Sequence, residues 1–166
     1  GHWQTYQHER ATEDQVRRYW TRNPDANVGI VTGVISGVVV LDIDGSAGRQ
    51  VTRGLTLPVT PTVARGERLQ YYFAHPGFEV RDLTKKLLGL DFRGDGGYVA
   101  APPSVHPSGR RYEWVEGLSP DDVPLAPCPE WLLKLLRPPT GQGLGRTLEE
   151  WRRLTNRGVS EGERNN

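Results

Sequence analysis

The chain has 166 residues, 21 Lys and Arg against 20 Asp and Glu for a net charge of +1, and is 36% hydrophobic and 25% charged. At about 150 residues per domain this leaves room for one compact domain and a short appendage and excludes a two-lobed enzyme. The near-zero charge excludes a whole-molecule field that gathers polyanions, so any such site must be local. No apolar run approaches the ~20 residues of a bilayer span, no secretory leader is visible, and one cysteine, Cys128, allows neither an internal disulfide nor a cysteine-rich zinc site. A cytoplasmic protein with no membrane partner is expected. Methionine is absent and the chain opens Gly1-His2, so a piece of a longer protein is expected, with the parent running on beyond Asn166.

In chain order, Thr12 to Gln15 has capping-box spacing, and Val16, Tyr19 and Trp20 follow at helical spacing, which predicts an amphipathic helix ending near Asn23-Pro24. Val28–Val31 and Val38–Ile43 are rich in β-branched residues and read as paired, buried strands around a reversal at Thr32–Gly37. Residues 46–58 suit a short helix or loop. Thr60–Val63 and Leu69–Phe73 predict a hairpin, Lys85–Leu88 a brief turn, and Leu90–Arg93 with Tyr98–Ala101 a second hairpin around Gly94–Gly97. Pro102-Pro103 ends that strand because proline has no ladder N–H. A strand at Arg111–Val115, an acidic loop at Asp121-Asp122 and a helix at Pro129–Leu136 follow. Residues 137–146 are rich in Pro and Gly and read as a linker, and Thr147 to Glu150 opens a further helix. A helix, strands joined mostly by hairpins and a closing helix argue an α+β fold.

The sharpest local feature is the strand end Leu41-Asp42-Ile43-Asp44-Gly45. Residues two apart on a strand share a face, so Asp42 and Asp44 present neighbouring carboxylates. Such a pair either holds a divalent cation or is a pair of turn-forming aspartates. Asp91 adds a third carboxylate on another predicted strand, and three can hold two Mg²⁺ or Mn²⁺ ions for in-line phosphoryl displacement. Asp95 is a weaker candidate, since a hairpin turn favours Asp between glycines. Arg65 could fork onto phosphate oxygens, and Ser104, His106 and Ser108 offer hydroxyls and an imidazole. The basic clusters at 65–68, 81–86 and 110–111 read individually as solvated surface charge.

Taken together, Asn27–Gly33 leading into Val40–Asp44, then Arg65-Gly66 and Tyr72-Phe73, then Leu90–Tyr98, Ala101–Gly109 and Tyr112-Glu113-Trp114 resemble the N-terminal catalytic domain of bifunctional DNA primase/polymerases. That family belongs to the archaeo-eukaryotic primase superfamily of plasmids, phages and integrated elements. The resemblance implies a catalytic domain over residues 3–136, with an RNA-recognition-motif-like antiparallel sheet and an accompanying α/β unit. Residues 137–146 would be a linker and 147–166 the start of a truncated helical primase C-terminal domain. It further implies metal ligands at Asp42, Asp44 and Asp91, and nucleotide contacts at Arg65, Gln70, Ser104 and His106. The family's second motif ends in a histidine where this chain has Gln70, which donates hydrogen bonds but cannot become cationic. The implied partners are nucleoside triphosphates, a single-stranded DNA template and primer, and a fused or associated helicase.

The expected function is thus metal-dependent nucleotidyl transfer, making or extending primers on a single-stranded template. Two alternatives belong to other classes. One is a nucleotide- or single-strand-binding replication-initiator module with little turnover. The other is a haloacid-dehalogenase-like phosphatase, whose Asp-x-Asp opening Asp42-Ile43-Asp44 imitates.

Overall fold

A computed structural model describes residues 3–87 and 89–137. The predicted linker over 137–146, apart from Arg137, and the helix from Thr147 lie outside the described residues. A 3₁₀ turn, Trp3–Gln7, precedes α1, Glu13–Arg22. The capping box forms as the sequence predicts: Gln15 N–H donates to Thr12 Oγ1 at 3.2 Å and Thr12 N–H to Gln15 Oε1 at 2.8 Å. None of the α1 residues is buried; Trp20 ties the helix down through its indole N–H to the Ala26 carbonyl at 3.2 Å.

The strands are β1 Val28–Val31, β2 Val38–Ile43, β3 Thr62–Arg65, β4 Arg68–Ala74, β5 Leu83–Leu87, β6 Leu90–Arg93, β7 Tyr98–Ala101, β8 Glu113–Trp114 and β9 Ala126–Pro127. The remaining helices are α2, Gly45–Val51, and α3, Glu130–Leu136. The main sheet has the order β5-β6-β2-β4-β3-β8, antiparallel throughout, with β9 added parallel to β4. β1 and β7 form a separate antiparallel ribbon. The α+β expectation stands. Among the described residues no helix is long and apolar enough to cross a membrane.

Strand alternation divides the main sheet into two unlike faces. Val39, Leu41 and Ile43 of β2 join Leu90, Phe92 and Phe73 against Leu132 and Leu136 of α3, forming the larger core. Each such side chain, removed from water, contributes about 1.5–3 kcal/mol. On the opposite face Val40, Val63 and Tyr72 are covered by Val99 and Ile30 of the β1–β7 ribbon. The ribbon caps the apolar half of that face, and the polar half continues toward Asp42 and Asp44.

Several local expectations are corrected. β6 and β7 are not a hairpin: β6 pairs with β2 and β5, and β7 with β1. Gly94 turns the chain out of the sheet, packed so closely on the Val80 carbonyl that a Cβ would lie 2.2 Å from that oxygen. The Asp95 carboxylate then accepts the N–H groups of Val34 and Val80, each at 2.8 Å, which fixes the new direction. β1 and β2 share only the Gly33–Val38 bridge, because β1 spends its ladder on β7. The predicted turn at Lys85–Leu88 is instead largely strand, since residues 83–87 form β5. The strand at Arg111–Val115 shrinks to β8, with Arg111 bridging Val105.

Candidate active site

Register brings the acidic residues together. Asp42 of β2 lies directly opposite Asp91 of β6 on one side and Gln70 of β4 on the other. Directly opposed residues in an antiparallel sheet point to the same face, with Cβ atoms about 4.5–5.5 Å apart. One row therefore reads Asp91, Asp42, Gln70, Val63, Trp114 across five strands. Asp91 neither faces the far side of the sheet nor lies remote from Asp42.

The Asp42 carboxylate is a costly group in this position. Burial pushes its pKa above the usual carboxylate range, and the charges of Asp91 and Asp44 add to the effect; Arg68 and a hydrogen bond with the Gln70 side chain oppose it. Among the described residues its Oδ1 is buried with no hydrogen-bond partner. Gln70 is itself buried, and its Oε1 accepts from the Tyr72 hydroxyl at 3.4 Å. Burial raises the Tyr72 phenol far above its ordinary range, so that hydroxyl stays a donor.

Asp44 follows β2 directly and stands at the N-cap of α2. It makes no side-chain capping bond. Its carboxylate is held by the Arg68 guanidinium instead, with Nε donating to Oδ1 at 2.6 Å and Nη2 to Oδ2. α2 packs tightly beside this point: a Cβ on Gly48 would lie 2.2 Å from the Gly89 carbonyl, so only glycine allows the helix to approach the β5–β6 turn next to Asp91.

Basic groups border the carboxylates. Arg65 and Arg68 face each other across the end of the β3–β4 hairpin, and Arg110 lies over its turn at Gly66. The Arg65 guanidinium sits over the Tyr112 ring, 5.2 Å from its centroid, with its Nε buried and unpartnered among the described residues. His106 packs edge-on to Tyr112, and its Nδ1 accepts the Ser108 N–H at 3.1 Å, which leaves the ring proton on Nε2. Desolvation and then the charges of Arg65, Arg68 and Arg110 lower the His106 pKa, so the ring is neutral at neutral pH. The positive charge near the Gln70 position thus comes from arginines, not from His106.

Ser104 is placed differently. Its hydroxyl is buried, accepts the Val28 N–H at 2.8 Å and donates to the Val28 carbonyl at 3.1 Å, clamping β1 to the segment after β7. Asp95 with His75 borders a second cleft of about 540 Å³ near the Val38–Ala74 end of the sheet, and its carboxylate is engaged by two backbone N–H groups. Asp122 closes the Ser119 turn through the N–H and hydroxyl of Ser119, at 3.0 and 2.6 Å. Sequence reasoning passed over Arg68 and Arg110 as surface charge. Arg68 was within reach of it, because it precedes Gln70 by two residues on the same strand and so shares its face.

Among the described residues no three His, Cys, Asp or Glu side chains gather into a ready metal cage, and the Asp44 carboxylate is engaged by Arg68. The fit to a divalent cation rests on the opposed carboxylates of Asp42 and Asp91 and on the orphaned Asp42 Oδ1, an oxygen donor without a proton to satisfy it.

No curated protein matches the chain. A family model does, over residues 2–131, a span that takes in the acidic row, the β3–β4 arginines and His106. The chain belongs to the family of bifunctional DNA primase/polymerases, matching their N-terminal domain.

Proposed function

We propose that the domain is a metal-dependent nucleotidyltransferase that makes or extends primers on a single-stranded DNA template. The observation that carries this is the placement of Asp91 and Asp42 as opposed neighbours at the open end of a buried sheet, bordered by Arg65, Arg68 and Arg110. A negative cradle beside a positive rim is complementary to a cation-bound triphosphate. Family membership supports the reaction class, and the antiparallel sheet with its ribbon supports a primase-type core.

Asp42 and Asp91 would hold Mg²⁺ or Mn²⁺, with Asp44 joining once released from Arg68. Bound there, a pair of such ions supplies the Lewis acidity that activates a primer 3′-hydroxyl and neutralises the leaving pyrophosphate. The chain's own groups do the rest. Gln70, held by Tyr72, fixes the Asp42 carboxylate through its hydrogen bond. Arg65 and Arg110 orient phosphate oxygens, and the Nε2–H of neutral His106 adds a donor without adding charge. Ser104 acts at one remove, keeping β1 and the segment that carries His106 in register. This activity would serve a plasmid, phage or mobile element in the cytoplasm, with a fused or associated helicase as a partner.

A primed single-stranded template with Mg²⁺ or Mn²⁺ and nucleoside triphosphates tests the reading. Extension by the native chain, lost in Asp42→Asn and in Asp91→Asn while both variants stay folded, is the expected result. Nucleotide binding without pyrophosphate release would favour the initiator-module alternative, for which Gln70 in place of a histidine is the motivating residue. Of Asp121 and Asp122, the aspartates that could imitate a phosphatase's late acidic pair, Asp122 is spent on the Ser119 turn.

A further inference from the structure

The proposed chemistry places Arg68 on the positive rim but does not explain its contact with Asp44. Its guanidinium forks onto both oxygens of Asp44, and an aspartate at a helix N-cap ordinarily spends that carboxylate on backbone N–H groups of the first turn. The side chains are 41% and 46% exposed, so the pair is screened by water and contributes little to stability as a surface ion pair. It engages both Asp44 oxygens, and among the described residues Asp42, Asp44 and Asp91 do not gather as a metal cage. A contact that is nearly neutral for the fold, yet holds both oxygens of a candidate ligand, is suited to exchange.

We infer that Arg68 is an exchangeable counter-ion. It neutralises Asp44 while no divalent cation is bound, yields Asp44 to the cation, and turns its guanidinium to the phosphates of the incoming nucleotide beside Arg65 and Arg110. The inference rests on the proposed nucleotidyltransferase reading. The geometry supplies each half of the exchange. Arg68 lies on the site face two residues from Gln70 and opposite Arg65, so a rotation of its side chain exchanges one anion for another without moving the backbone. Cation and arginine compete for the same carboxylate, and cation and triphosphate bind together, so Arg68 sets the order in which the site fills. Arg68 is a positioning residue toward Asp44 and a binding residue toward phosphate.

The test is Mn²⁺ binding, read calorimetrically on the native chain, Arg68→Gln and Arg68→Lys, first alone and then with a non-hydrolysable nucleoside triphosphate. Removing the competing charge should tighten Mn²⁺ binding without nucleotide about fivefold in Arg68→Gln, and losing only the fork should tighten it about twofold in Arg68→Lys. The same Arg68→Gln substitution should weaken binding of the Mn²⁺-bound triphosphate about tenfold. Mn²⁺ affinity that is unchanged or weaker, or triphosphate affinity that is unchanged, overturns the inference. If Arg68→Gln fails to fold, Arg68→Lys still decides: losing the fork predicts about twofold tighter Mn²⁺ binding, and no tightening refutes the exchange. The two proposals fail separately. Primer extension by the native chain without this Mn²⁺ response sinks the counter-ion alone, whereas the response without any extension sinks the polymerase reading.

Discussion

Replacing Asp42 with asparagine should make the protein more stable while abolishing its activity. Asp42 is opposed by Asp91 and has a buried oxygen without a partner. At a Cβ separation of about 5 Å and an effective dielectric constant near 20, two carboxylates repel by about 3 kcal/mol. Arg68 and the Gln70 hydrogen bond offset much of this, leaving a net relief of about 1 kcal/mol when the charge is removed. Asparagine retains a carbonyl to accept from Gln70, so no bond is forfeited. For a chain of this size that is a rise in Tm of about 2–4 °C. The assay is thermal unfolding in EDTA of the native chain and Asp42→Asn, paired with primer extension in Mg²⁺ or Mn²⁺. A variant destabilised by 1 kcal/mol or more in EDTA refutes the argument that Asp42 is kept at the expense of the fold. Full extension by the variant refutes its role in the reaction.

Three further outcomes follow from other parts of the molecule. Burial disfavours the Asp95 carboxylate, but the N–H groups of Val80 and Val34 and the His75 side chain hold its pKa below the ordinary aspartate value of 3.8. Its contribution to stability is therefore complete above about pH 4 and is lost as the pH falls through the lower native value. Urea melts should show Asp95→Asn about 1–3 kcal/mol less stable at neutral pH, with the gap closing in strong acid. Leu132, buried under β2 and β6, should cost about 2–5 kcal/mol as Leu132→Ala, measured by urea denaturation, with extension retained at a temperature where the variant is folded. His106 is neutral at neutral pH, so His106→Gln should raise the KM for nucleotide severalfold without changing its pH profile between pH 7 and 8, checked by steady-state extension.

Local chemistry was readable in the sequence wherever a short stretch determines it. The capping box at Thr12 and Gln15 and the β3–β4 hairpin follow from spacing and alternation, whereas the shared face of Asp42, Gln70 and Asp91 depends on the register of three strands. Strand pairing was not readable, because it depends on contacts distant along the chain. β7 leaves β6 for β1 where Asp95 accepts the N–H groups of Val34 and Val80, and no spacing within Leu90–Ala101 announces that. β5 escaped notice because its Lys85-Lys86 pair has the composition of a turn, and its pairing with β6 overrides that preference. Ser104 shows the same limit at the site: a hydroxyl in a motif looks like a ligand contact until Val28, 76 residues earlier, takes both of its hydrogen bonds. For Arg68, alternation with Gln70 gives the face but not the partner: Asp44 is identified only once β2 and β4 are known to be neighbours.

The account rests most heavily on Asp42 and Asp91 sharing a cation that carries a nucleotide. Anomalous scattering from crystals grown with Mn²⁺ and a non-hydrolysable nucleoside triphosphate tests it directly. Manganese bound by both carboxylates, with the phosphates reaching toward Arg65 and Arg110, is the predicted result. Manganese held elsewhere, or a nucleotide bound away from the Asp91–Asp42–Gln70 row, would contradict it.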